Sequence, residues 1–457
     1  MTTSPQVTLD PNAKLAALDE AQRAAVAALV EGDDDAVAAL WADKLRRFAS
    51  LYGRNLGPAA RARFGAEAAT QLLWMADLLL TAAERSAFAG TAPLDQAHLN
   101  AALYCLDAAK APAAARQRAE QLLARHRDWL LTDAPQPALV PSLGSAFAYR
   151  SGLWAREAAA IEEQDAGHGA GVAILCPSPF SLYALTVFEL CRRLDIPVKA
   201  VVLRKFTFKR FQSEWRRDGT RLLKKILRKL ILKSDENADV GSASAKAQLD
   251  ALAPPAADVR KMAKGLGIPV IEVESFDEAV APLEALSPAL GLFCGGGLLS
   301  ERFLQVFARG AINVHMGPLP RYKGMDVVQA PILEGCFDEV GLTAHFIVRG
   351  LDAGPAILKF STSARGHRSL GALRNTVTAL MPLMLMDACL GSLSGRLQAQ
   401  PQPQPEAGRH YYIVHPSLLA SIDAVLAHHA GADDGRPEPI AAEIAAFRAD
   451  PTIFPPA

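Results

Sequence analysis

The stretch INVHMGPLPRYKG, residues 312–324, decides how this chain is read. It opens as a strand, a short apolar run over 311–315 that carries Asn313 and His315. Two residues apart on a strand, these side chains point to the same face. They stand where the strand gives way to a loop of Gly317, Pro318 and Pro320. In open parallel sheets, ligands bind outside the carboxyl ends of the strands. An amide and an imidazole aimed at one point can donate hydrogen bonds to a developing oxyanion.

Working outward, apolar runs and helical stretches alternate on the N-terminal side. Residues 172–176 read as a strand, then a Pro-Ser-Pro turn and a helix near 182–194; further strands fall at 198–203, 269–272 and 290–294. This rhythm predicts a parallel sheet with helices on both faces. Downstream, 342–348 and 356–360 flank a short loop around Asp352 and read as a hairpin added to the sheet. Gly350, Gly354 and Pro355 fix that loop. A carboxylate presented there can orient a histidine or relay a proton; it can also simply cap its own turn.

Four elements occur in order: Asn313-Val-His315, Pro320-Arg-Tyr-Lys-Gly324, Gly341-Leu-Thr343-Ala-His345 and Asp352-Ala-Gly354. Together they resemble the formyltransferase family, which includes glycinamide ribonucleotide, methionyl-tRNA and sugar-nucleotide N-formyltransferases and formyltetrahydrofolate hydrolase. The resemblance implies an open α/β, Rossmann-like catalytic domain that takes 10-formyltetrahydrofolate as donor and needs no metal. It implies Asn313, His315 and Asp352 as the catalytic trio, with His345 in support. It places a folate pocket at Gly297, Leu298 and Leu299, after the preceding strand, and at Val348, Arg349 and Gly350. Three consecutive glycines, 295–297, suit a close approach of backbone to a flat pterin; they also suit a plain tight turn. Hydrolysis of the same donor, or a silent fold used for binding, remain the alternatives to transfer.

The chain departs from the family on the side where the acceptor amine enters. Met316-Gly317-Pro318-Leu319-Pro320 stands where Ser-Leu-Leu-Pro is usual, and Gln329-Ala330 where many members have an aromatic. The first strand ends in Cys176-Pro177-Ser178-Pro179, not a Gly-rich phosphate loop, which argues against a ribonucleotide acceptor. The expected partner is a small amine, with the acceptor unidentified.

The motifs leave the flanks unexplained. Residues 1–131 read as an all-helical bundle, with apolar residues at helical spacing such as Leu72, Met75, Leu79 and Leu99, Leu103, Leu106. Single histidines there, His98 and His126, read as surface or core residues. Residues 132–170, Pro-rich at 132–142, read as a linker. The catalytic domain follows over 171–365, and a helical C-terminal extension over 366–457 with one strand at 411–414. The bundle is expected to be separable, serving oligomerisation, acceptor delivery or partner docking. Within the catalytic domain, an insertion at 204–257 is strongly basic over 204–233, with an apolar helical face at Leu222, Leu223, Ile226, Leu227, Leu230 and Ile231. It reads either as a solvated helix or as a surface for an anionic substrate or partner.

With 48 Lys and Arg against 48 Asp and Glu, the chain as a whole is not built to coat nucleic acid or an anionic membrane. Six cysteines without a CxxC pair favour a reducing compartment, and a cytoplasmic location is expected. No signal peptide or transmembrane helix is expected.

Overall fold

The computed structural model describes residues 35–85, 92–132, 142–164, 171–205, 258–295, 297–325, 327–403, 408–430 and 439–455. The basic insertion beyond residue 205 and most of the Pro-rich stretch lie outside the described residues.

Among the described residues, five helices form the N-terminal bundle: α1 Asp35–Tyr52, α2 Leu56–Phe64, α3 Ala68–Arg85, α4 Gln96–Ala109 and α5 Ala113–Leu130. Helix α4 is its centre, buried from Gln96 to Leu106 and packed on each of the others. Asp95 starts it by accepting from the Ala97 and His98 N–H groups, which have no helical partner of their own. Both single histidines are core residues, His98 and His126 being 7% and 1% exposed.

The second unit has ten strands among the described residues: β1 Ser145–Ala146, β2 Val172–Cys176, β3 Val198–Arg204, β4 Val270–Val273, β5 Leu290–Phe293, β6 Ala311–His315, β7 Tyr322–Gly324, β8 Val340–Phe346, β9 Ala356–Thr362 and β10 Arg409–Tyr411. Eight of them form one sheet in the order β1-β9-β8-β6-β5-β2-β3-β4, while β7 and β10 form a separate parallel pair. Strands β2 to β6 run parallel, and β8 turns back antiparallel to both β6 and β9, which is the added hairpin. The fold is thus an open, mostly parallel α/β sheet preceded by helices, as the alternation predicts.

The helices around the sheet are α6 Leu153–Gln164, α7 Leu182–Arg193, α8 Val259–Gly265, α9 Val280–Leu286, α10 Glu301–Leu304, α11 Ala330–Leu333, α12 Leu370–Ser394, α13 Pro416–His429 and α14 Pro439–Arg448. Strand alternation sorts residues onto two faces. Ile174, Leu292, Ile312, Val314, Leu342 and Ala344 pack toward α12 in the main core. Leu175, Val202 and Ala311 point the other way, onto Phe276, Phe303 and Phe307. Ala311 shares that second face with Asn313 and His315, so the site lies just beyond the phenylalanine cluster. Helix α12 has mean hydropathy 1.5 and is long enough to cross a membrane, but 89% of its apolar window is buried inside the protein.

Three readings change. Residues 132–170 are more than a linker: Ser145 pairs with Leu358 as an edge strand, and α6 buries Trp154 with its Nε1 donating to Asp387 at 2.9 Å. The C-terminal part is no appendage, because α12 is the main helix beneath the sheet. Its strand covers 409–411, not 411–414, because the Ile413 and Val414 carbonyls turn to accept from Asn100 and Tyr104 of α4.

Candidate active site

Register brings four polar side chains onto one sheet face. Asn313 lies opposite His345, and His315 opposite Thr343, across the β6–β8 ladder. Each pair has a definite job. His345 Nδ1 donates to the Phe346 carbonyl at 2.9 Å, so its Nε2 carries a lone pair and accepts from Asn313 Nδ2 at 3.2 Å. Burial, only partly opposed by the Asp352 carboxylate, pushes the His345 imidazole down to about 4, with His315 pushing the same way. His345 is therefore neutral at physiological pH and fixes which way the Asn313 amide faces. One Asn313 N–H is thereby engaged, and no bond of the other is seen among the described residues.

Thr343 holds the loop instead of facing a ligand. Its hydroxyl donates to Gly317 O at 2.9 Å and accepts from Leu319 N at 3.0 Å. This pins the Gly/Pro loop that follows His315. Gly317 suits that place, since a Cβ there would meet His315 Nε2 and Tyr322 O at 3.1 Å.

His315, 6% exposed, donates from Nε2 to Tyr322 O at 2.8 Å. Its Nδ1 faces Asp352 Oδ1 at 3.6 Å, and His345 Nε2 faces the same oxygen at 3.8 Å. Both separations exceed a direct hydrogen bond. The other oxygen, Asp352 Oδ2, accepts from Gly324 N at 2.8 Å. Asp352 thus does not cap its own turn: it is anchored to a different segment and aims its second oxygen between two imidazoles. Its φ of 49° is in the left-handed region, which Asp tolerates better than most residues. Gln402 fixes the loop from behind, Nε2 donating to the Asp352 carbonyl at 3.0 Å and to that of Gly354 at 2.5 Å.

Phe180, Leu298, Met325, Val348 and Leu351 make up most of the large exposed apolar side chains among the described residues. All five sit in loops next to β2, β5, β7 and β8. Leu298 is 86% exposed. Leu299 packs against the phenylalanine cluster, whereas Val348, Arg349 and Gly350 are exposed. Gly297 has a reason of its own to be glycine: φ is 110°, and a Cβ would lie 2.8 Å from the Arg204 guanidinium. A branched residue there would strain the backbone before it met any ligand. Among the described residues, no group of three or more His, Cys, Asp or Glu is placed to hold a metal ion.

The sequence reading missed Gln402 and the backbone of β7. Gln402 sits in the repeat QPQPQP, residues 400–405, which carries no periodic signal. Its neighbour Gln400 exchanges backbone hydrogen bonds with Ala356 at the start of β9, so residues 400–402 run beside the loop that carries Asp352.

Residues 231–389 match the family described as formyl transferase. Methionyl-tRNA formyltransferase of Clavibacter michiganensis subsp. michiganensis is 32% identical over 146 residues, which are 32% of this chain and 48% of that protein. The same enzyme of Macrococcus caseolyticus is 34% identical over 159 residues, 34% of this chain and 50% of that protein. The chain therefore spans about half the length of the curated relatives it matches. Among solved structures, glycinamide ribonucleotide transformylase 1 from Symbiobacterium toebii is 16% identical with a TM-score of 0.36, covering 52% of this chain and 96% of that one. The formyltransferase PseJ from Anoxybacillus kamchatkensis, in complex with a formamido sugar nucleotide and tetrahydrofolate, is 21% identical with a TM-score of 0.28, covering 34% and 79%. The family match encloses all four motif elements, and this chain carries a formyltransferase-family domain, distantly homologous to the methionyl-tRNA enzymes.

Proposed function

We propose that this protein is a folate-dependent N-formyltransferase, moving a formyl group from 10-formyltetrahydrofolate to an amine. The observation that carries the reading is the convergence of Asn313 and His315, on one sheet face, with Asp352 of the adjoining loop, inside the family domain. The second Asn313 N–H and the His315 imidazole stabilise charge on the formyl oxygen as the amine attacks. Asp352, fixed by Gly324 N, stabilises positive charge on His315 and takes part in removing the amine proton. The exposed apolar side chains Leu298, Val348 and Leu351 suit the flat pterin of the donor. The acceptor is a small amine, and the basic insertion favours an anionic one. Six buried free cysteines fit a cytoplasmic enzyme.

The test is to incubate the full chain with 10-formyltetrahydrofolate and a panel of sugar-nucleotide, amino-acid and amino-glycan amines, and to read the products by mass spectrometry. A formylated amine that disappears with His315→Ala supports transfer. Formate without a formylated amine converts the assignment to a hydrolase. No consumption of the donor by the folded protein leaves only a binding module.

A further inference from the structure

The parallel pair β7–β10 links the catalytic residues to the N-terminal bundle, which lies outside the family match. Along β7 the hydrogen-bonding groups alternate. Arg321 O accepts from Arg409 N at 2.8 Å and Met325 N donates to Tyr411 O at 3.0 Å, both toward β10. Between them, Tyr322 O accepts from His315 and Gly324 N donates to Asp352, both toward the site. The strand that grips both catalytic side chains thus has β10 as its ladder partner.

Strand β10 is in turn held by the bundle. Arg409 Nη2 lies 2.7 Å from Asp95 Oδ2, with both side chains almost fully buried. Arg46 of α1 donates to His410 O at 2.8 Å; Asn100 and Tyr104 of α4 donate to Ile413 O and Val414 O, both at 3.1 Å. Buried Glu334 ties the two strands together, accepting from Tyr322 at 3.0 Å, from Arg321 at 3.1 Å and from Tyr411. The approach is close: a Cβ at Gly324 would lie 2.2 Å from Tyr411 O, and one at Gly408 would lie 1.6 Å from Pro320 O. A displacement of β10 therefore passes to β7 with little slack.

We infer that the N-terminal bundle is a positioning part of the catalytic site: Asp95, through Arg409 and the β10–β7 ladder, sets the places of His315 and Asp352. This rests on the assignment of those two residues as catalytic. Asp95 and Arg409 touch no reacting atom and act only through the strands.

The test uses the full chain. Asp95→Asn keeps the oxygen that caps α4 but removes the charge facing Arg409. It is expected to lower kcat about tenfold, since small misplacements of catalytic groups cost this much or more. Affinity for 5-formyltetrahydrofolate should stay unchanged, and the ring resonance of His315 should move. Asp95→Glu should recover most of the kcat and the resonance. Asp77→Asn, on the outer surface of the bundle, is the control and should change neither. Should Asp95→Asn not fold, Tyr104→Phe, which removes one hydroxyl from the same contact, should move the His315 resonance in the folded protein. A folded Asp95→Asn or Tyr104→Phe with a wild-type resonance and wild-type kcat overturns the inference. The resonance needs no acceptor, so it decides the matter even where no amine is formylated. Full activity in His315→Ala would instead overturn the catalytic assignment.

Discussion

Asn313 donates to His345 Nε2 across the β6–β8 ladder at 3.2 Å, and the bond that His345 makes to its neighbour's carbonyl dictates the direction of this one. The amide is thereby held by one N–H before any substrate arrives. Preorganised donors of this kind need no rearrangement during reaction.

Asn313→Ala is therefore expected to reduce kcat roughly a hundredfold or more, the usual cost of losing an oxyanion donor. His345→Leu should cost less, because the amide remains but is free to rotate. Adding His345→Leu to Asn313→Ala should have little further effect, since the histidine acts through the amide. Steady-state kinetics on the best amine of the panel measures this; strictly multiplicative losses would show that His345 acts by another route.

Asp352→Asn separates anchoring from charge. The amide oxygen can still accept from Gly324 N, and Asn tolerates a φ of 49° well. The protein should keep its thermal midpoint within a degree or two while losing turnover by roughly a hundredfold. Turnover near wild type would reduce Asp352 to a structural clamp.

Leu298 is 86% exposed, so Leu298→Asp should leave folding untouched. If the donor covers it, burying that side chain contributes about 1.5 kcal/mol or more, and the aspartate should raise the dissociation constant of 5-formyltetrahydrofolate about tenfold or more. Titration calorimetry on the folded variant decides it. An unchanged constant would move the folate site away from this loop.

Stability should carry the mark of His126, which burial pushes down to about 4. A histidine that protonates more readily in the unfolded chain weakens the fold as pH falls, here from about 6.5 toward 4. Denaturant unfolding of wild type and His126→Phe at pH 8 and pH 5 isolates this group. The variant should gain about 2 kcal/mol relative to wild type on going to pH 5. Glu339, which burial pushes up to about 7 against the pull of Arg321, titrates in the opposite sense, but it is common to both proteins and cancels. A pH-independent difference would mean that His126 is protonated or solvated in the fold.

The sheet was legible because short apolar runs separated by helices leave few alternatives, and β2 and β6 fall on the residues read as strands. The face of Asn313 and His315 followed from strand alternation alone. What escaped had no periodic signature. Gln402 reaches the loop of Asp352 from a Gln-Pro repeat, and the edge strand at 145–146 is two residues long. Asp95 looks like any helix cap, and Arg409 like any basic residue in a coil. Nothing in either local sequence shows that they meet as a buried ion pair.

That pair also decides what happens when the bundle is removed. The helical composition of 1–131 and the Pro-rich stretch after it suggest a unit that can be cut away. The structure instead has one hydrophobic core running through the bundle and the α/β unit. Deleting residues 1–141 would take Asp95 away from Arg409 and would expose to water the apolar surface of that shared core which the bundle covers, at about 25 cal/mol for each Å². It would also strip donors from the His410, Ile413 and Val414 carbonyls, at about 1–3 kcal/mol for each one left buried. His415, which donates from Nε2 to Asp107 at 3.0 Å while its Nδ1 accepts from Ser417 N, would lose its partner as well. Whole domains have about 5–15 kcal/mol to lose, so the truncated chain should show no cooperative unfolding transition and no binding of 5-formyltetrahydrofolate. Circular dichroism in urea and folate titration test this together. A truncated chain that unfolds cooperatively and binds folate as the full protein does would establish the bundle as an independent domain.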